Sequence, residues 1–149
     1  MSNNVTETLE FNAKVTWTGG KEGDITVEGK PLLPISSPIY WEGKPDYYSP
    51  QDLFIAAITG CYITTFATMT KRMRQTIIAH QASGRTVLQK HPEGGWYFSD
   101  VYIIMDITVP KDANISQVER AVMLTKKYCQ VSRALNSQVH VQPNIRQED

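Results

Sequence analysis

At 149 residues and 41% hydrophobic, with 15 basic residues balancing 15 acidic ones, the chain suits one globular domain, residues 1–149, able to bury roughly 70% of its unfolded surface. Balanced charge gives no support for nucleic-acid binding, which shows as a clustered basic face. No stretch approaches the roughly 20 apolar residues of a membrane span, residues 1–10 are not signal-like, and two cysteines are too few for a disulfide scaffold, so the expectation is a cytoplasmic protein with no membrane partner.

Over residues 9–17, Leu9, Phe11, Ala13, Val15 and Trp17 alternate with polar residues, the period of a half-buried strand. Gly19-Gly20 is a turn signal and residues 24–28 resume as a strand, giving a hairpin. Residues 29–49 carry Pro31, Pro34, Pro38 and Pro45 with little periodicity and read as a long irregular loop, a kind of segment that is often functional. Its aromatic residues Tyr40, Trp41, Tyr47 and Tyr48 fit either a substrate entrance or a cover for a core.

Ser49-Pro50 opens the longest helical pattern. Ser49 suits the cap, Pro50 the first helical position and Asp52 the positive end of the dipole. Charge is nearly absent from Leu53 until Lys71, Arg72 and Arg74, so the helix must be buried in its own core or against a partner. Residues 77–89 and 96–109 follow as strands around the turn cluster at 91–95. In the second strand Tyr97, Val101, Ile103, Met105, Ile107 and Val109 share one face. Asn114 or Ser116 caps a second helix running to about Tyr128, residues 131–135 form a short helical segment, and residues 139–141 end the pattern as a strand. The order ββ–α–ββ–α–β is an α+β layout, two main helices on an antiparallel sheet.

The chemistry-bearing residues are Cys61 and Cys129. No CxxC pair is present, and His80, His91 and His140 have no metal-ligand spacing with each other or with a cysteine, so neither a metal nor another cofactor is expected. Cys61 lies mid-helix among the small residues Ala56, Ala57 and Gly60, where a backbone or a ligand could approach closely. Two readings stand for it: an inert core cysteine, or a nucleophile whose activating group comes from elsewhere in the fold or from a second chain. Cys129 follows Lys126 and Lys127 and precedes the segment that would place it at a helix N-terminus, a setting expected to depress its pKa.

The run Ser49-Pro50-Gln51-Asp52-Leu53, the Ala56-Ala57 step and Gly60-Cys61 together resemble the OsmC/Ohr pattern of Pro, an acidic residue, Leu, Ala-Ala and Cys. Cys129-Gln130-Val131-Ser132-Arg133-Ala134 resembles the second motif of that group, Cys-Pro-Val-Ser-(Lys/Arg)-Ala, with Gln130 in place of proline. The turn Gly19-Gly20-Lys21 resembles its Gly-Gly-Arg turn, so the resemblance spans essentially the whole chain in order. It implies an OsmC-like fold in an intertwined homodimer, with Cys61 and Cys129 meeting at the subunit interface. It also implies thiol peroxidase activity on organic hydroperoxides: Cys61 becomes a sulfenic acid, Cys129 resolves it to a disulfide, and a dithiol reductant completes the cycle. An apolar lining of Phe54, Ile58, Ile63 and Phe66 would suit an alkyl or acyl hydroperoxide.

Two positions depart from the pattern. The arginine and glutamate that orient the peroxide and activate the thiol in those peroxidases are here Lys21 and Gln51. Lysine keeps the charge but loses the planar fork, and glutamine forms no ion pair; neighbouring Glu22 and Asp52 are the candidate substitutes. The alternative reading is therefore a redox sensor or ligand-binding dimer without fast turnover. Ten residues of helix put Gln51 about 15 Å from Cys61, so a site using both is expected to draw on two chains.

Overall fold

The computed structural model describes residues 7–149 and divides into two compact units, Met1–Asp52 and Leu53–Asp149. Residues 1–6 of the polar N-terminal segment lie outside the described residues.

The first unit is a three-stranded antiparallel sheet of β1 (Lys14–Gly19), β2 (Glu22–Thr26) and β3 (Leu33–Ser36), in that order. Gly19 and Gly20 turn the β1–β2 hairpin at φ of 123° and 52°, backbone that a side chain would strain, and the Trp17 indole donates to the Gly20 carbonyl at 2.9 Å. The expected strand from residue 9 is shorter, beginning at Lys14, and its apolar side chains are not half-buried: Phe11 is 93% exposed and Trp17 74%. The segment expected to be an irregular loop contains β3 and a 3-10 turn, Ile39–Trp41. Pro34 is tolerated because β3 is an edge strand, where a missing N–H costs no ladder bond.

A reciprocal cap starts α1 (Pro50–Arg72). The Ser49 hydroxyl accepts from the Asp52 N–H at 3.1 Å, while the Asp52 carboxylate accepts from the Ser49 N–H at 2.8 Å. Ser49→Ala should therefore cost about 1 kcal/mol of stability, read as a lowered midpoint in chemical denaturation with an unchanged slope.

The second unit is built on a sheet ordered β4 (Ala79–Lys90), β5 (Trp96–Pro110), β6 (Gln138–Glu148). The sheet is not wholly antiparallel as expected: β4 pairs antiparallel with β5, but β6 runs parallel to β5. The crossover through α2 (Ile115–Tyr128) and α3 (Gln130–Arg133) carries the chain back to the same end of the sheet, which a tight turn could not do. Strand β6 is also longer than the expected residues 139–141, because Pro143 sits on the sheet edge and does not end it.

The core joins three apolar stripes: Ile58, Tyr62, Phe66 and Met69 at helical spacing on α1, Val101, Ile103, Met105, Ile107 and Val109 on β5, and Val118, Ala121 and Val122 on α2. Tyr97 departs from the face expected for it. A bulge at Ser99, where Val87 pairs with Asp100 but Leu88 with Phe98, reverses the alternation. Phe98 thus turns inward and stacks on Phe54 at 4.0 Å. Gly84 is required where β4 passes α1, since a Cβ there would collide with the side chains of Thr59 and Ile55. The opposite face of α1 is exposed and small, at Ala56, Ala57, Gly60, Thr64, Ala67 and Thr68. By length and composition α1 is also apolar enough to cross a membrane, contrary to the sequence expectation. Its interspersed Thr, Ala and Gly residues hide this from a count of consecutive hydrophobes, and the core stripe it buries in the second unit gives its apolar side another use.

Candidate functional site

In the second unit Cys61 is half-buried on α1 and Cys129 is fully buried at the junction between α2 and α3, both as free thiols. The two thiols are close enough for each to shift the pKa of the other. Both thiols of the pair therefore come from one chain.

The surroundings of Cys61 answer the question its sequence position raised. Thr65, one helical turn on, is 3.6 Å from the sulfur, and the Gln130 side-chain carbonyl is 3.7 Å away as an acceptor for the thiol proton. Burial works to raise the Cys61 pKa, but hydrogen bonds from the Cys129 thiol, the Val131 N–H, the Thr65 hydroxyl and the Gln130 N–H outweigh it and hold the thiol below its ordinary value. No lysine or arginine is among these causes; the activators are neutral donors.

Cys129 behaves oppositely to expectation. Burial and its contact with Cys61 push its thiol up, despite help from the Ser132 side chain and N–H. The expectation failed because the first amides of α3, those of Gln130 and Val131, serve the Cys61 sulfur, while Cys129 itself is sealed in the core. One thiol is therefore primed to ionise and its neighbour to keep its proton.

This asymmetry predicts that alkylation by iodoacetamide at neutral pH modifies Cys61 before Cys129. Because the Cys61 pKa is depressed, its rate should level off below the roughly pH 8.5 of a free cysteine and fall as pH drops through the folded value. Thiolate-linked stability follows the same sign, fully present above the unfolded pKa and lost as pH falls through the folded one. Gln130→Pro removes the N–H that points at Cys61 and should move that alkylation profile to higher pH.

Tyr62 and Ser132 complete the surroundings, and residue patterns did not single them out as site residues. Tyr62 is fully buried, and burial above all pushes its phenol up to about 12; Ser132, the next influence, opposes it, and the charges of Cys129 and Cys61 add smaller upward pushes. Its hydroxyl has no hydrogen-bond partner among the described residues, an omission that ordinarily costs about 1–3 kcal/mol. Thr65 could have been found as the residue at i+4 from Cys61, and Gln130 as the departure from the second motif. A cavity of about 370 Å³ borders this cluster, lined by Thr65 and Gln130 and by two guanidinium groups, Arg72 and Arg133. The expected lining of Ile58 and Phe66 is not part of it, since both are sealed in the core.

In the first unit, Lys21 and Gln51 line one cavity of about 360 Å³ together with Trp41 and Trp17. The Lys21 ammonium donates to the Trp41 carbonyl at 2.9 Å and pairs with Glu42 at 3.4 Å. The Gln51 carbonyl oxygen is buried without a partner among the described residues. Neither candidate substitute partners Lys21: Asp52 is held in the helix cap, and Glu22 pairs with Lys44 at 3.1 Å. Of the loop aromatics, Trp41 lines this cavity, Tyr47 lies beneath Lys44 at 4.9 Å, and Tyr40 is 89% exposed.

Residues 43–144 match the family model described as OsmC-like protein. The chain is 26% identical over 138 residues to the uncharacterized protein YmaD of Bacillus subtilis, covering 89% of this chain and 90% of that protein. It is 22% identical to an organic hydroperoxide resistance protein-like protein of Staphylococcus aureus, covering 92% and 96% of the two. Among solved structures, the OsmC-like protein VCA0330 of Vibrio cholerae superposes with a TM-score of 0.83 at 15% identity, over 92% of this chain and all of that one. The α+β fold with two sheets and three helices is thus that of the OsmC-like structures, and the chain belongs to the OsmC-like protein family, the OsmC/Ohr group that its cysteine motifs resemble.

Proposed function

We propose that this protein is a two-cysteine thiol peroxidase that reduces organic hydroperoxides. The observation that carries the reading is the pairing of Cys61, its thiol held below the ordinary value, with an adjacent Cys129 whose thiol is held above it. A peroxidatic thiol must ionise to attack, and a resolving thiol must wait beside it. The Cys61 thiolate attacks the outer peroxide oxygen, the O–O bond breaks, and the alkoxide leaves and takes a proton as the alcohol. Sulfenic acid at Cys61 then condenses with Cys129 to a disulfide and water, and a dithiol reductant restores both thiols. The name of the Staphylococcus aureus relative supports the substrate class.

The working form in this proposal is a homodimer in the cytoplasm, each chain one OsmC-like domain. The exposed small face of α1 and the exposed Leu9, Phe11 and Trp17 supply apolar surface for a second copy. Lys21 and Gln51 then act on the Cys61 of the partner copy, a division that the ten-residue helical spacing favours.

A second reading, a redox sensor or ligand-binding dimer, is favoured by one observation: Lys21 is already engaged by Glu42 and the Trp41 carbonyl. The two separate on turnover. The peroxidase consumes cumene hydroperoxide catalytically when supplied with a dithiol; a protein that forms its disulfide once and then stalls is the sensor.

A further inference from the structure

Tyr62 is fully buried in the same core cluster as Cys129, with Cys61 packed against that cluster, and its phenolic oxygen finds no partner among the described residues. Buried hydroxyls are ordinarily satisfied, so an orphan beside two reactive sulfurs calls for an acceptor that the reduced protein lacks. Oxidation of Cys61 creates one, the sulfenic oxygen. Ser132, whose hydroxyl is spent on the Cys129 carbonyl at 3.3 Å, lies close to the phenol, in the turn that carries the second thiol.

The condensation step has a proton problem. Cys129 is held protonated by burial and by Cys61, yet it must lose its proton to attack, and the hydroxyl leaving Cys61 must gain one to depart as water. We infer that Tyr62 is the proton relay of disulfide formation, its buried and unpartnered phenol handing a proton to the hydroxyl leaving Cys61 while the Cys129 thiol proton replaces it. The inference rests on the peroxidase reading above. Atoms and electrons balance: the Cys129 sulfur pair forms the S–S bond to Cys61, the S–O bond breaks with its pair on oxygen, the thiol proton of Cys129 ends on water by way of the phenol, and the tyrosine is unchanged. The oxidant is the hydroperoxide that made the sulfenic acid. With its proton held up to about pH 12, the phenol is a donor throughout the neutral range.

The test is Tyr62→Phe in the full chain, with rapid mixing against one equivalent of cumene hydroperoxide and quenched mass spectrometry to follow the sulfenic acid and the disulfide separately. The variant removes one buried hydroxyl and keeps the ring, so the protein should stay folded with a melting temperature close to the parent value. Sulfenic acid should form at the parent rate, while the disulfide should appear about a hundredfold more slowly, the lower end of general acid–base contributions, with sulfinic acid accumulating at Cys61. The unsubstituted protein should also show a solvent deuterium isotope effect on disulfide formation, a readout that packing alone would not produce. Equal disulfide rates in variant and parent, or no isotope effect, overturn the relay and leave the peroxidase reading standing. Failure of the unsubstituted protein to form the disulfide overturns both.

Discussion

Cys61→Ser should abolish peroxide consumption outright, and Cys129→Ser should permit a single turnover and then strand Cys61 as sulfenic and sulfinic acid. The two variants remove neighbouring thiols, yet their consequences differ because their surroundings differ. Cys61 is half-buried, meets donors from α3 and from Thr65, and borders a cavity through Thr65 and Gln130. Cys129 has no exposed surface and is pushed toward the protonated form. The first sulfur is partly exposed and the second is sealed in the core, so in the proposed reaction the peroxide meets Cys61 and the sulfenic acid formed there has Cys129 as its neighbour. Peroxide consumption assays with mass spectrometry of the spent variants check the assignment; single-turnover behaviour in Cys61→Ser would reverse the roles.

Lys21→Ala should slow oxidation of Cys61 by roughly 10²–10³, the usual loss when one charge-assisted donor is removed from an oxyanion site. In the proposed two-chain site this ammonium faces the departing alkoxide, and no cation of its own chain depresses the Cys61 thiol. Stability should barely change, because the lysine side chain is 53% exposed and its pairing with Glu42 is a surface contact. Lys21→Arg with Gln51→Glu should exceed the parent rate by restoring a planar charged clamp. Stopped-flow oxidation in the parent and the two variants decides the matter. Equal rates in Lys21→Ala and parent would mean that another group activates the thiol, or that it is hardly activated at all, and would favour the sensor or ligand-binding reading.

Much of the fold was legible in the sequence, for local reasons. Ser49, Pro50 and Asp52 mark the start of α1 because capping is settled within one turn, and the alternation of Val101 to Val109 marks β5 because one face of that strand is buried. The parallel β6 was not legible, since strand direction is decided by a crossover and no residue of β6 encodes it. Phe98 was missed for the same kind of reason: a single extra residue at Ser99 turns a regular pattern over.

The candidate site divides along similar lines. Cys61 and Cys129 emerged from motif order, and Lys21 and Gln51 from the places where the motifs change. The acidity of the two thiols did not follow from sequence position. Cys129 has the helical start that should activate it, but the amides of Gln130 and Val131 serve the other sulfur, and only the packing of α3 against α1 settles the balance. Tyr62 looked like one more core residue at helical spacing; its significance lies in a missing partner, which no pattern of residues reveals.

The most direct test of the central claim is mass spectrometry of the reduced protein after one equivalent of organic hydroperoxide, with non-reducing peptide mapping of the product. A disulfide joining Cys61 to Cys129 within a single chain, formed stoichiometrically and reversed by a dithiol, is the predicted result. Two thiols left intact, or a disulfide joining two chains through either cysteine, would contradict it.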